Sequence, residues 1–158
     1  MFILYLRRAS RAGEGQGLAD SSVTAHLYPK WNRSISVGDA KIDREHEEIF
    51  DQIVTVAGFV DSHDNASVLS AIDRLLLLLE RHFQDEERFF AVTSYPHAPA
   101  HKIEHRVLRH MARHIRGAVE LSRDGSFVGL SLRHFVQAMV EHIIEIDLGY
   151  RPYLHEAE

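Results

Sequence analysis

ASVLSAIDRLLLLLERHFQDEERFFAVT (Ala66–Thr93) carries apolar residues at helical spacing, with no proline or glycine to interrupt it. A helix advances about 100° per residue, so the direction of each side chain follows from its position. Val68, Ala71, Leu75, Leu78 and Phe89 fall within about 40° of His82, and so does Glu86. An imidazole and a carboxylate one turn apart therefore lie on the stripe that an amphipathic helix buries.

Three further stretches repeat the helical period: roughly Asp43–Asp61, Pro99–Arg123 and Ser126–Leu148. Turn-forming residues divide them: Asp61-Ser-His-Asp-Asn, Ser94-Tyr-Pro-His-Ala-Pro and Arg123-Asp-Gly. Ser126 is the expected N-cap of the last helix. No stretch alternates with period two for long enough to suggest a sheet. Long amphipathic helices joined by short connections predict an all-α fold, an up-down-up-down antiparallel four-helix bundle, over residues 29–158. Before it, residues 1–28 carry a Gly-, Ser-, Ala- and Arg-rich run without periodicity and read as a disordered, non-helical leader.

The face calculation extends to every helix. Ile42, Phe50, Ile53, Ala57 and Val60 share the face of His46, within about 40°. His101 and His105 lie with Leu108, Ala112, Ile115 and Val119, and His142 lies with Val128, Phe135, Ala138 and Ile146. Each helix thus aims at least one histidine into its own hydrophobic stripe. A buried polar group without a partner costs a few kcal/mol, and a buried unpaired carboxylate costs more. A metal ion removes that cost by coordinating the imidazoles and holding the carboxylates ionised. The candidate ligands are His46, His82, Glu86, His101, His105, His142 and Asp147. Imidazole and carboxylate suit iron, zinc or manganese, and a chain with no cysteine has no thiolate alternative.

His110 and His114 repeat the H-x-x-x-H spacing but point about 180° away from His101 and His105, so they are expected at the surface. His26, His63, His97, His134 and His155 lie in ends, in turns or off the stripe, and no site is assigned to them. Asp147 is the awkward member. Five residues beyond His142, it would sit about 140° around an ideal helix. To join the site, the fourth helix must loosen there, for example through a π-type turn, where Gly149 and Pro152 already mark its end.

The 158 residues carry 45% hydrophobic and 26% charged side chains with a formal charge of -5, which suits one soluble domain and gives no basic footprint for nucleic acid. The apolar start, MFILYL, is too short for a membrane span and precedes its basic residues, the reverse of a signal peptide. A cytoplasmic protein without membrane insertion is expected.

Four motifs together resemble the hemerythrins, specifically the single-domain bacterial type. They are W-N-R-S-I-S-V-G-D-A-K-I-D-R-E-H (Trp31–His46), H-F-Q-D-E-E (His82–Glu87), Y-P-H-A-P-A-H-K-I-E-H (Tyr95–His105) and H-I-I-E-I-D-L-G-Y (His142–Tyr150). The resemblance implies two iron ions inside a four-helix bundle. It implies that His101, His105 and His142 hold one iron and that His46 and His82 hold the other. Glu86 and Asp147 would bridge them with an oxo or hydroxo group, leaving one coordination position open on the two-histidine iron. The implied function is reversible dioxygen binding for storage, transport or supply, and not enzymatic catalysis.

Ile49, Phe50, Phe83, Met139 and Ile143 are the expected lining of the oxygen pocket; Phe89 and Ile146 are further apolar neighbours of the ligands. Such a dry, acid-poor cavity favours release of the bound gas over its reduction. The alternatives are a sensor of oxygen, nitric oxide or redox state, a di-iron enzyme of peroxidase or nitric oxide reductase type, and iron handling without oxygen chemistry. The expected partner is dioxygen or another small diatomic ligand, together with an oxygen-using enzyme or a signalling partner. Ala138 departs from the bulky aromatic expected one turn before His142, which would widen the pocket.

Overall fold

The computed structural model describes residues 28–121 and 125–156. A short 3-10 turn, Arg33–Ile35, precedes four α-helices: α1 Ala40–Asp61, α2 Asn65–Thr93, α3 Ala98–Glu120 and α4 Gly125–Glu141. The chain continues as a π-helical segment, His142–Ile146, and a 3-10 helix, Asp147–Glu156. Among the described residues there is no strand, and no helix is long and apolar enough to cross a membrane.

Local capping chemistry sets the helix ends. Asp39 caps α1 by accepting hydrogen bonds from the Lys41 and Ile42 amides at 2.8 and 2.9 Å. The helix therefore starts three residues before the expected Asp43, because Asp43 caps something else. Its carboxylate accepts from the Val37 amide at 2.8 Å and the Ser36 hydroxyl at 2.6 Å, tying the incoming chain to the helix. Gly38, between these two anchors, takes φ 97°, a conformation glycine reaches without strain. Asp64 caps α2, which ends where Ser94 turns left-handed at φ 52°. Pro99 lies in the first turn of α3, where its missing N–H leaves no hydrogen bond unmade. That helix ends at Glu120, short of the expected Arg123. Ser126 is not a cap; α4 already includes Gly125 and Ser126.

Cross-helix contacts establish the direction of each neighbour. Along α1 and α2, Lys41 meets Asp85, Arg81 meets Glu48, and Gln52 bonds to the Ala71 carbonyl, so numbering rises along one helix as it falls along the other. Lys102 with Glu87, Arg109 with Glu80 and Arg116 with Asp73 repeat the pattern between α3 and α2. His101 against His142 and His114 against Phe127 repeat it for α3 and α4. With α1 also packed on α4, the helices form a closed antiparallel four-helix bundle.

The core has two parts. The larger cluster fills the bundle from Val56, Ile72, Ile115 and Leu132 up to Ile49, Phe50, Phe83, Met139 and Ile143. The smaller one, Val37, Ile42, Phe90, Tyr95 and Tyr150, closes one end. Tyr28, expected to be the last leader residue, is instead 8% exposed and packed into the larger cluster; the rest of the leader lies outside the described residues.

Candidate metal centre

The seven candidate ligands occupy the gap between the two apolar clusters. His46 follows Ile42 of the small cluster by one turn and precedes Phe50 of the large one. Glu86 likewise stands between Phe83 and Phe90. All seven are at most 4% exposed. Each helix contributes what its stripe carried: His46 from α1, His82 and Glu86 from α2, and His101 and His105 from α3. His142 and Asp147 come from the segment after α4.

Asp147 arrives by the distortion its spacing requires. The π-helical turn over His142–Ile146 widens the helix just after α4, and the Asp147 amide bonds back to the carbonyls of His142 and Ile143. Asp147 is fully buried, with Oδ1 3.0 Å from Nε2 of both His101 and His142, and Oδ2 3.2 Å from Nε2 of His46. Chain continuation differs from expectation in one respect. Gly149 and Pro152 do not end the helical path, which runs on as a 3-10 helix to Glu156.

The donor atoms form two groups, each with all its atoms within 4.8 Å of one another: Glu86, His101, His105 and His142, and His46, His82, Glu86 and Asp147. Glu86 belongs to both, and the two oxygens of Asp147 face opposite sides. Oε2 of Glu86 lies 3.0 Å from His105 Nε2, 3.5 Å from His101 Nε2 and 3.6 Å from His82 Nε2. Proximity here is not hydrogen bonding for most of the set. Both ring nitrogens of His46, His101 and His142, Nε2 of His82 and both oxygens of Asp147 are buried without a hydrogen-bond partner. Leaving even one such group unmet costs about 1–3 kcal/mol. A cation among them would satisfy the Nε2 atoms and the carboxylates together, so the donor set fits a metal.

Electrostatics favour the same occupant. Burial and the Asp147 charge push the Glu86 carboxyl up, but His82, His101 and His105 outweigh them and hold it well below its ordinary value. Burial also raises Asp147, and His142, His101 and His46 bring it far down. In return, against the opposing effect of burial, Asp147 and Glu86 raise His101 to about 9 and lift His46 above its ordinary value. Burial prevails at His105, which is lowered despite Glu86. The site thus favours two anionic carboxylates among buried imidazoles, and a cation would supply the positive charge that balances them.

Three further residues act on the donors, and the face calculation did not single them out. Tyr150, 1% exposed, donates its hydroxyl proton to Glu86 Oε1 at 2.7 Å. Burial and the nearby Glu86 and Asp147 charges keep that phenol protonated by raising it well above its ordinary value. Glu45 Oε2 lies 3.3 Å from Nδ1 of His82, and Glu87 Oε1 lies 3.1 Å from Nδ1 of His105. A carboxylate on the outer nitrogen turns the inner nitrogen toward the site. The available signals were adjacency, Glu45 beside His46 and Glu87 beside Glu86, and the position of Tyr150 three residues after Asp147.

Ile49, Phe50, Phe83, Met139 and Ile143 are all at most 1% exposed and belong to the large cluster. Phe83 stacks on His105 with centroids 4.1 Å apart. Phe89 lies on the opposite side, 5.3 Å from Tyr150, and Ile146 is half-buried. His110 and His114 are exposed, as are His63, His97 and His134. His26 and the side chain of His155 lie outside the described residues.

Comparison with known proteins agrees with the geometry. The chain is 25% identical over 121 residues to the myohemerythrin of Sipunculus nudus, covering 77% of this chain and 89% of that protein. It is 26% identical over 127 residues to the bacteriohemerythrin of Clostridium acetobutylicum, covering 76% of this chain and 96% of that protein. A shorter match, 30% over 76 residues, links it to the myohemerythrin of Theromyzon tessulatum, covering 48% of this chain and 58% of that protein. The sequence model described as the hemerythrin HHE cation-binding domain matches residues 37–154, which is 118 of the 158 residues and contains all seven buried donors. On that match, this chain belongs to the hemerythrin family.

Proposed function

We propose that this chain binds dioxygen reversibly at two iron ions held between its apolar clusters. The observation that carries the reading is a pair of buried donor groups sharing Glu86, with most of their nitrogens unpartnered and an apolar wall against them. In this reading His101, His105 and His142 would hold one iron and His46 and His82 the other, with Glu86 and Asp147 available to both. Iron held there would supply the electrons that dioxygen binding needs.

The chain's own residues favour carriage over catalysis. Ile49, Phe50, Phe83, Met139 and Ile143 exclude water from one side and carry no group able to donate a proton. Tyr150, which can donate, is engaged with Glu86 on the other side. Glu45 and Glu87 keep His82 and His105 oriented, so the ligands are aimed before the metal arrives. A shell of five histidines and two carboxylates also differs from the carboxylate-rich ferritin-like oxidases.

The test is an oxygen cycle. The iron-loaded protein is reduced anaerobically, exposed to oxygen, then returned to an oxygen-free atmosphere while its visible spectrum is followed. A band that appears and disappears over repeated cycles is expected of a carrier. Irreversible oxidation, or steady consumption of added peroxide, would replace this reading with an enzymatic one.

A further inference from the structure

The donors are buried on every side, yet a dication must reach them. Crossing the packed interior of the large apolar cluster would strip its hydration without return, at a cost of many kcal/mol. One face offers a different path. A cleft of about 90 Å³, room for about three waters, opens between the start of α1, α2 and the terminal 3-10 helix. The buried Glu86 and Tyr150 line it together with charged Asp39, Lys41 and Asp85, and apolar Ile42, Phe89 and Leu154 complete the wall, so the cleft runs along the edge of the small cluster. Asp85 and Glu86 are consecutive on α2, so a carboxylate near the mouth is followed directly by the carboxylate common to both donor groups.

The mouth is spanned by an ion pair: Lys41 Nζ lies 2.7 Å from Asp85 Oδ2, with Lys41 64% and Asp85 9% exposed. Arg88, 75% exposed, reaches the same carboxylate at 3.0 Å. An ion pair with one partner this exposed contributes on the order of 1 kcal/mol or less, so it opens readily. While closed, it covers Oδ2 of Asp85 with positive charge; when open, that oxygen faces an incoming cation while Arg88 stays on Oδ1.

We infer that this cleft is the entry port for the metal, with Lys41–Asp85 as its latch and Glu86 as the first resident donor reached. The inference rests on the metal-site reading above and adds a route to it. It also places the cation route on the Tyr150 side of the centre, away from Phe83 and Met139 of the large cluster.

The test uses metal-free full-length protein, mixed anaerobically with Co(II) and followed by absorbance. Lys41→Gln should speed uptake about threefold or more at low ionic strength, with the gain shrinking as salt is added. Leu154→Trp, which narrows the mouth, should slow uptake about tenfold and slow chelator-driven release by the same factor, since both cross the same barrier. The amount of Co(II) bound at equilibrium should not change in either variant. Leu154→Phe, a smaller plug, carries the test if the tryptophan variant does not fold. Wild-type uptake and release in the plugged variant would overturn the port, as would an unchanged or slower rate in Lys41→Gln. Failure of the wild-type protein to bind Co(II) would instead overturn the metal-site reading.

Discussion

Tyr150→Phe removes one oxygen atom and leaves the ring in place, so its effect can be worked out closely. The ring keeps its contacts with Phe89 at 5.3 Å, Phe90 at 5.5 Å and Tyr95 at 6.2 Å, and no cavity large enough to matter opens. What disappears is the 2.7 Å hydrogen bond to Glu86 Oε1, a bond to a charged acceptor that is itself fully buried. Such bonds contribute about 1.5–3 kcal/mol. For a domain of this size each kcal/mol moves the melting point by about 2–4 °C, so the metal-free variant should melt about 3–12 °C lower. A second effect follows from orientation. Without the phenol, Glu86 is free to rotate away from the donors it must join, and loss of such a supporting partner typically lowers metal affinity about 10–100-fold. Circular dichroism melts of chelator-treated protein read the first effect, and titration against a competing chelator reads the second. A melting point within about 1 °C of wild type, together with unchanged affinity, would refute the claim that Tyr150 positions Glu86.

Metal removal should destabilise the bundle broadly. A ligand present at about a thousand times its Kd adds about 4 kcal/mol, so stripping the metal should lower the melting point by about 8–16 °C; identical melts with and without chelator would count against a buried site. His110→Ala with His114→Ala should leave metal content unchanged and stability within about 0.5 kcal/mol, because both residues are exposed; a lost metal equivalent would mean that the surface pair binds too. Ala138→Trp, filling a half-buried position one turn before His142, should slow spontaneous oxidation of the oxygenated protein at a packing cost of about 1–3 kcal/mol; an oxidation rate equal to wild type would dismiss the idea that Ala138 widens the pocket.

Periodicity carried the fold because each helix here has one apolar stripe and each break has a recognisable turn. Ala66–Thr93 alone placed His82 and Glu86 on the buried side, and both are fully buried. The same geometry separated His101 and His105 from His110 and His114 on one helix. Asp147 was legible in an unusual way: its five-residue spacing from His142 is wrong for an α-helix, and the π-turn over His142–Ile146 resolves the mismatch.

What escaped the sequence was mostly pairing across helices. Nothing in the spacing of Glu45 and His82, or of Glu86 and Tyr150, 64 positions apart, says that they touch; the register between helices decides it. Helix starts were missed for a related reason. Asp39 and Asp43 are both plausible caps, and only the fold of Ser36–Gly38 back onto Asp43 leaves the capping role to Asp39. The cleft at Lys41 and Asp85 is likewise a property of three elements meeting at the closed end of the bundle, and no single stretch encodes it.

The central claim is that seven buried side chains, from the first three α-helices and the segment that follows the fourth, make one centre for two metal ions. Its most direct test is the iron content of protein reconstituted anaerobically with ferrous iron and freed of excess by gel filtration. Two overlapping donor groups predict close to two iron ions per chain, falling to one or fewer when His101 and His105 are both replaced by alanine. A ratio near zero in the wild-type chain, or a ratio unmoved by those replacements, would contradict the account.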